Sequence, residues 1–202
     1  MNEVIIATQN EGKVKEFIHM FEGYGIKVKT LNDVAKDLDI EETGTTFEEN
    51  AIIKAEEASK LFQTLVIADD SGLEIDALNG APGVYSARYA GLEKNDDANM
   101  EKVLNELQGV PKEKERLGFA CCLAIAAPGL ETKAVFGTCE GRILEEKRGH
   151  NGFGYDPIFF VEHLGRTMAE LTKDEKSSVS HRGNALKKLA QQLPSILEVI
   201  EK

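Results

Sequence analysis

What the chain lacks narrows its function before any motif is read. The longest nearly unbroken apolar run, Phe119 to Pro128, falls well short of the ~20 residues a membrane helix needs. The first apolar run is preceded by Glu3 and by no basic region, so a secretory signal is not expected. Cysteine is scarce. Cys121, Cys122 and Cys139 make no metal-ligand spacing and leave an odd one over, and the first two lie in an apolar run as core residues. A soluble, intracellular protein in a reducing cytoplasm is the expectation. Basic residues are also few: 24 Lys and Arg stand against 35 Asp and Glu, a formal net charge of −11. That balance argues against a grip on DNA or RNA through phosphates. It still admits a phosphorylated small molecule bridged by a divalent cation, and so leans toward metal dependence. There are no repeats, no low-complexity tracts and no linker rich in Pro, Gly or Ser. With 202 residues, 42% of them apolar, the chain can bury a sizeable core and reads as one domain over residues 1–202.

What is present begins with Val4-Ile5-Ile6-Ala7, a buried strand that stops at Thr8-Gln9-Asn10-Glu11-Gly12-Lys13. Val14, Phe17, Ile18 and Phe21 then fall at helical spacing. A strand, tight loop and helix in that order aim backbone N–H groups and a helix dipole at one spot, which suits a phosphate, and Lys13 adds a point charge. This is not a Walker loop, because Ala7 and Val14 stand where its first glycine and its Ser or Thr belong. The plainer alternative is Asn10 as an N-cap with Lys13 in solvent.

Ile26 and Val28 suggest a second short strand, and Leu31 to Glu42 an acidic connection. Thr46 with Glu49 fits a capping box, after which Phe47, Ala51, Ala55, Ala58 and Phe62 form a helical stripe. Asn50 and Lys54 share another face of that helix, which alone reads as a solvated flank. Glu41 and Glu42 precede it in a loop from which they could reach a metal or simply keep the loop soluble.

The central stretch is Ile67-Ala68-Asp69-Asp70-Ser71-Gly72-Leu73-Glu74-Ile75-Asp76-Ala77-Leu78. Leu65 to Ile67 reads as a buried strand, and Leu73, Ile75 and Ala77 as the inward face of a half-exposed one. Neighbours on an extended chain point to opposite faces, so Asp69 and Asp70 are not expected to share one task. A carboxylate there can bind Mg²⁺ or accept a proton from water; as a bare pattern, Asp-Asp-Ser-Gly is equally a hairpin turn.

Gly80 to Gly91 is a Gly/Pro turn with small residues around Ser86, and Arg88 there is either an anion contact or a structural partner. Asn95 to Leu107 reads as an amphipathic helix, and Leu117–Ala126 and Lys133–Leu144 as strands joined by a turn at Pro128-Gly129. Three glycines surround Phe153 and Tyr155 in the loop from Gly149 to Phe160, where aromatic faces could stack on a base or, as the plainer alternative, serve as core rings beside a turn. Ser180 is placed to cap a last helix running to Pro194, with His181 and Arg182 in its first turn as directional donors or, as the plainer alternative, surface residues. The whole is mixed α/β.

Taken together, TQNEGK (Thr8–Lys13), EETG (Glu41–Gly44), FEENA (Phe47–Ala51), ADDSGL (Ala68–Leu73), GAPGVYSARYAG (Gly80–Gly91), FGYDPIF (Phe153–Phe159), EKS (Glu175–Ser177) and SHRG (Ser180–Gly183) resemble the inosine triphosphate pyrophosphatase family over nearly the whole chain. Gln9 stands where glycine is also met. The resemblance implies an α/β fold with an elongated mixed sheet flanked by helices, two lobes with a nucleotide cleft between them, and a homodimer. It implies a Mg²⁺-dependent enzyme that hydrolyses ITP, dITP and XTP to the monophosphate and pyrophosphate, removing damaged nucleotides from the precursor pool. By the same likeness Asp70 is the proton acceptor and, with Glu41, a metal ligand. Thr8, Gln9, Asn10, Glu11, Gly12 and Lys13 would cradle the triphosphate. Ser71, Phe153, Gly154, Tyr155, Asp156, Lys176, His181 and Arg182 would bind the rest of the nucleotide.

Overall fold

The computed structural model describes residues 3–21, 25–36, 38, 40–111 and 117–200. In chain order the elements are β1 (Glu3–Ala7), α1 (Glu11–Phe21), β2 (Lys27–Thr30), α2 (Leu31–Val34), α3 (Phe47–Phe62), β3 (Val66–Ile75), α4 (Asp96–Glu106), β4 (Leu117–Ala126), β5 (Lys133–Ile143), β6 (Phe159–Val161), β7 (Arg166–Thr167), α5 (Lys173–Val179) and α6 (His181–Ile200). Asp37 and Asp39, in the acidic connection after β2, lie outside the described residues. The strands form one seven-stranded sheet in the order β2-β1-β3-β4-β5-β6-β7. Its β1–β2 and β1–β3 pairs are parallel and its β5–β6 and β6–β7 pairs antiparallel, which makes it the expected mixed sheet.

Two units are resolved by their internal packing. The first comprises residues 1–70, 121–137 and 184–202; the second comprises 71–120 and 138–183. Alternation along the strands builds the first core: Val4 and Ile6 of β1, Ile67 of β3 and Leu123 and Ile125 of β4 are buried with Phe17 and Phe21 of α1 and Leu189 and Leu193 of α6. Ile18, which the helical spacing places on the same stripe, is 43% exposed. The second core gathers Leu73 and Ile75 of β3, Met100 and Val103 of α4, Phe119 of β4, Phe159 of β6 and Met168. Each such side chain contributes on the order of 1.5–3 kcal/mol by leaving water.

Three expectations are corrected. Asp69-Asp70-Ser71-Gly72 makes no turn: β3 runs unbroken from Val66 to Ile75, with β1 paired beside Val66 to Ala68 and β4 its neighbour on the other side, and membership of the sheet outweighs the turn-like composition. The strand ends at Ile75, so Ala77 lies in a short 3₁₀ turn. Pro194 does not end the last helix, which continues to Ile200. Leu193 and Ile196 on either side of it are buried in the first core, and that packing carries the helix past one missing hydrogen bond. Among the described residues no helix is long and apolar enough to cross a membrane. The three cysteines are buried thiols.

Candidate functional site

In the first unit the chemistry converges on the middle of β3. Asp69 and Asp70 are consecutive strand residues and meet different partners, as the alternation requires. Asp70 is 6% exposed. Its Oδ2 accepts a hydrogen bond from Asn50 Nδ2 at 3.1 Å, and its Oδ1 lies 3.7 Å from Lys54 Nζ. Burial raises its pKa above the ordinary aspartate value, and the nearby Lys54 and Lys13 ammonium groups offset only part of that rise.

Asn50 and Lys54 stand on α3, which starts at a capping box: Thr46 Oγ1 accepts from the Glu49 amide and Glu49 returns a bond to the Thr46 amide. These two residues read as a solvated flank from sequence. The structure corrects this, since they are 1% and 9% exposed. The orientation of the Asn50 amide follows from its neighbours: Oδ1 accepts from the Gly44 amide at 2.8 Å, which leaves Nδ2 for Asp70. A Cβ on Gly44 would lie 2.7 Å from Asn50 Oδ1 and 2.6 Å from Glu49 Cβ, so the close approach requires glycine. Lys54 Nζ donates to Glu42 Oε1 at 2.6 Å and to the Asp69 carbonyl at 2.7 Å. Desolvation disfavours its charge, but Asp70, Glu42 and Asp69 outweigh that and hold its pKa above the ordinary lysine value. Glu42 is thus held by Lys54 rather than loose in its loop.

The loop between β1 and α1 carries a cap, and the first turn of α1 a half-buried cation. Asn10 Oδ1 accepts from the Lys13 amide at 3.1 Å, so Asn10 caps α1 as the plainer alternative expected. Lys13 is not in solvent: its Nζ pairs with Asp69 Oδ1 and its side chain is 13% exposed. Thr8, 8% exposed, accepts from the Asn10 amide at 3.2 Å, and Gln9 Nε2 donates to the Leu38 carbonyl at 2.7 Å. Glu11 is exposed and Gly12 half-buried. Glu41 is exposed on the stretch before α3.

Among the described residues no group of three or more His, Cys, Asp or Glu side chains is assembled to hold a metal. The donors present are nonetheless carboxylate oxygens without thiolate or imidazole. Asp70 is a buried anion whose burial penalty a cation would relieve. Such a set fits Mg²⁺ held by one or two carboxylates together with substrate phosphate and water, not a cage made by protein alone.

In the second unit Arg182, 1% exposed, donates from Nη2 to Ser71 Oγ at 3.0 Å. Its Cζ lies 6.0 Å from the Phe153 ring centroid, and Lys176 Nζ lies 4.8 Å from the same centroid. Asp156 organises this group: its Oδ2 accepts from Lys176 Nζ at 2.6 Å and from the Phe153 amide at 2.9 Å. Gly154 donates its amide to Asp96 Oδ2 at 2.7 Å. His181 stacks on Phe119 with centroids 4.8 Å apart and planes 22° apart.

Ser180 Oγ accepts from the Gly183 amide at 3.1 Å, capping α6 and fixing the turn that carries His181 and Arg182. The Tyr155 ring is buried in the second core, and its hydroxyl donates to the Ser86 carbonyl at 2.8 Å. What Tyr155 offers a ligand is therefore its backbone. Ser86 also anchors β3 just beyond Ser71, accepting from the Leu73 amide at 2.9 Å. Arg88 lies over the Tyr85 ring, 5.3 Å from its centroid.

Of the residues singled out from sequence, Lys13 and Asp70 share the first unit, and Ser71, Phe153, Asp156, Lys176 and Arg182 form one network in the second. Sequence reasoning assigned no role to Asn50, Lys54 or Asp69. The i, i+4 spacing of Asn50 and Lys54 was the available signal, but only long-range packing shows which side of α3 is buried.

Comparison with known proteins gives a consistent result. Residues 4–192 match the Ham1 family. The dITP/XTP pyrophosphatase of Bacillus licheniformis is 61% identical over 190 residues, 94% of this chain and 97% of that protein. Among solved structures, the Staphylococcus aureus Ham1 protein is 49% identical with a TM-score of 0.85, covering 96% of this chain and 98% of the other. A HAM1 protein from Coxiella burnetii is 43% identical with a TM-score of 0.86, covering 96% of this chain and all of the other, 100%.

Proposed function

The chain belongs to the Ham1 family, and from that membership and the chemistry around β3 we propose that it hydrolyses non-canonical purine nucleoside triphosphates, ITP, dITP and XTP, to the monophosphate and pyrophosphate. The observation that carries the reading is Asp70, a buried carboxylate of raised pKa beside an ammonium that stays charged. A general base needs such a pKa, closer to neutrality than that of a solvated aspartate.

Asp70 would take the proton of the water whose oxygen bonds to the α-phosphorus, as the bond from that phosphorus to the β-phosphate oxygen breaks and pyrophosphate departs. Lys13 and Lys54 would offset the charge on the departing group. Mg²⁺, held by Asp70 and Glu41, would supply charge neutralisation and alignment of the triphosphate. On the nucleoside side, Phe153 would stack on the purine and His181 would donate to the C6 carbonyl of hypoxanthine or xanthine. Adenine presents an amino group there and would leave that donor unsatisfied. Arg182 and Ser71, tied to each other, would bind the sugar–phosphate, Ser71 being next in the chain to the proton acceptor.

Incubation with ITP and Mg²⁺ is expected to release pyrophosphate and IMP in equal amounts. Orthophosphate as the sole phosphorus product would point to an ordinary phosphatase. Tight ITP binding without any product would make the chain a nucleotide-binding module.

A further inference from the structure

We infer that Asp69 is a positioning residue for the two polyphosphate-binding lysines and not a metal ligand. Its carboxylate holds Lys13 and its main-chain carbonyl holds Lys54. This deepens the pyrophosphohydrolase reading and rests on it for the role of the lysines.

Asp69 and Asp70 look interchangeable in sequence, and their surroundings separate them. Asp69 has no exposed surface, 0%, whereas Asp70 retains 6%. Both carboxylate oxygens of Asp69 are engaged: Oδ1 pairs with Lys13 Nζ, and Oδ2 accepts from the Cys121 thiol of β4 at 3.0 Å. A cation shared with a substrate needs an oxygen turned toward that substrate, and here both oxygens face protein donors. The Cys121 bond fixes the rotation of the carboxylate, so the place of Lys13 is dictated by β3 and β4 as well as by its own flexible stem.

The second lysine arrives from another element. Lys54 comes from α3, Lys13 from the first turn of α1, and the two sequence positions are distant. One strand residue gives both a common reference, one through its side chain and the other through its backbone. A lysine stem carries considerable rotamer entropy, and ordering it before the anion arrives removes that cost from binding. The carboxylate also holds Lys13 in place while the departing group develops negative charge.

A double-mutant cycle over Asp69→Asn and Lys13→Ala tests this, read on the affinity for inorganic pyrophosphate by calorimetry and, separately, on the KM for ITP. Asp69→Asn is expected to weaken pyrophosphate binding and raise KM by about tenfold. In the Lys13→Ala background the same change should cost less than about twofold, because the group it positions is already gone. The Mg²⁺ concentration giving half-maximal activity should stay within about twofold of wild type.

Losses that multiply independently, or an unchanged pyrophosphate affinity in Asp69→Asn, would overturn the inference. A tenfold shift in Mg²⁺ requirement would overturn it too, by making Asp69 a metal ligand. Should Asp69→Asn fail to fold, the wild-type protein carries the test. Lys13 should acylate with an amine-reactive ester at least about tenfold more slowly than the exposed Lys60, and equal rates would sink the pairing. If wild-type protein leaves ITP intact, the functional reading falls by itself, because pyrophosphate affinity and lysine acylation do not depend on turnover.

Discussion

Asp70 makes opposite demands at its two protonation states. Ionised, it can accept a proton but its burial penalises the fold; protonated, it suits its buried place but cannot act as a base. Asp70→Asn should therefore reduce kcat for ITP by roughly 10²–10⁴-fold, the usual worth of a positioned acid–base group. Its folded-state pKa lies above its unfolded value, so its favourable contribution is present at low pH and is lost as pH rises through the folded pKa. In chelator, then, Asp70→Asn should melt at or above the wild-type temperature at neutral pH, with the gap closing as acid protonates the native aspartate. A variant that melts lower at pH 7 would contradict this. Lys54→Met tests the counterpart: it leaves Glu42 and Asp70 facing each other without their cation and should cost about 3 kcal/mol in chemical denaturation.

Elements deliver these side chains, and their ends are where delivery is set. The capping box at Thr46 and Glu49 starts the helix bearing Asn50 and Lys54, and an equivalent box at Thr172 and Glu175 starts α5, which bears Lys176. Thr46→Ala or Thr172→Ala should each cost about 1 kcal/mol of stability by thermal or urea unfolding. Glu175 is also bonded by Arg166, first among the causes that bring its carboxyl down to about 2. The sign follows: its contribution is whole above the ordinary glutamate pKa and is lost as pH falls from there toward about 2, so mild acid should leave α5 intact.

Much at this scale was legible in sequence. The Thr46 box, the Asn95-capped α4 and the Ser180 cap all follow from side chains bonding backbone within a few residues. What was not legible depended on distant partners. Asp-Asp-Ser-Gly reads locally as a turn and lies instead inside β3, in the middle of the sheet. Tyr155 reads as a stacking ring or a core ring, and only the packing of the second unit draws it inward.

For the molecule as a whole, charge is the governing quantity. A net charge of −11 opposes a polyanion at long range, and the lysines that would receive it are already paired with carboxylates. Raising monovalent salt should therefore speed association of a metal-free nucleoside triphosphate by screening repulsion, with a smaller effect on its Mg²⁺ complex; stopped-flow binding across an ionic-strength series checks this, and a uniform slowing would contradict it. The fold class and the identity of the acidic strand could be read from the chain. Which lysine serves which carboxylate could not, because Lys13 and Asp69 are brought together only by the packing of α1 against the sheet.

Gly152 shows how little room this arrangement leaves for change. It sits at φ +79°, and a Cβ there would fall 1.9 Å from Asp156 Oδ2, the oxygen that Phe153 and Lys176 both use. Every other amino acid would push that oxygen away, alanine included. In a saturation library selected for turnover of inosine nucleotides, codon 152 should come back glycine alone, while the exposed positions beside it drift.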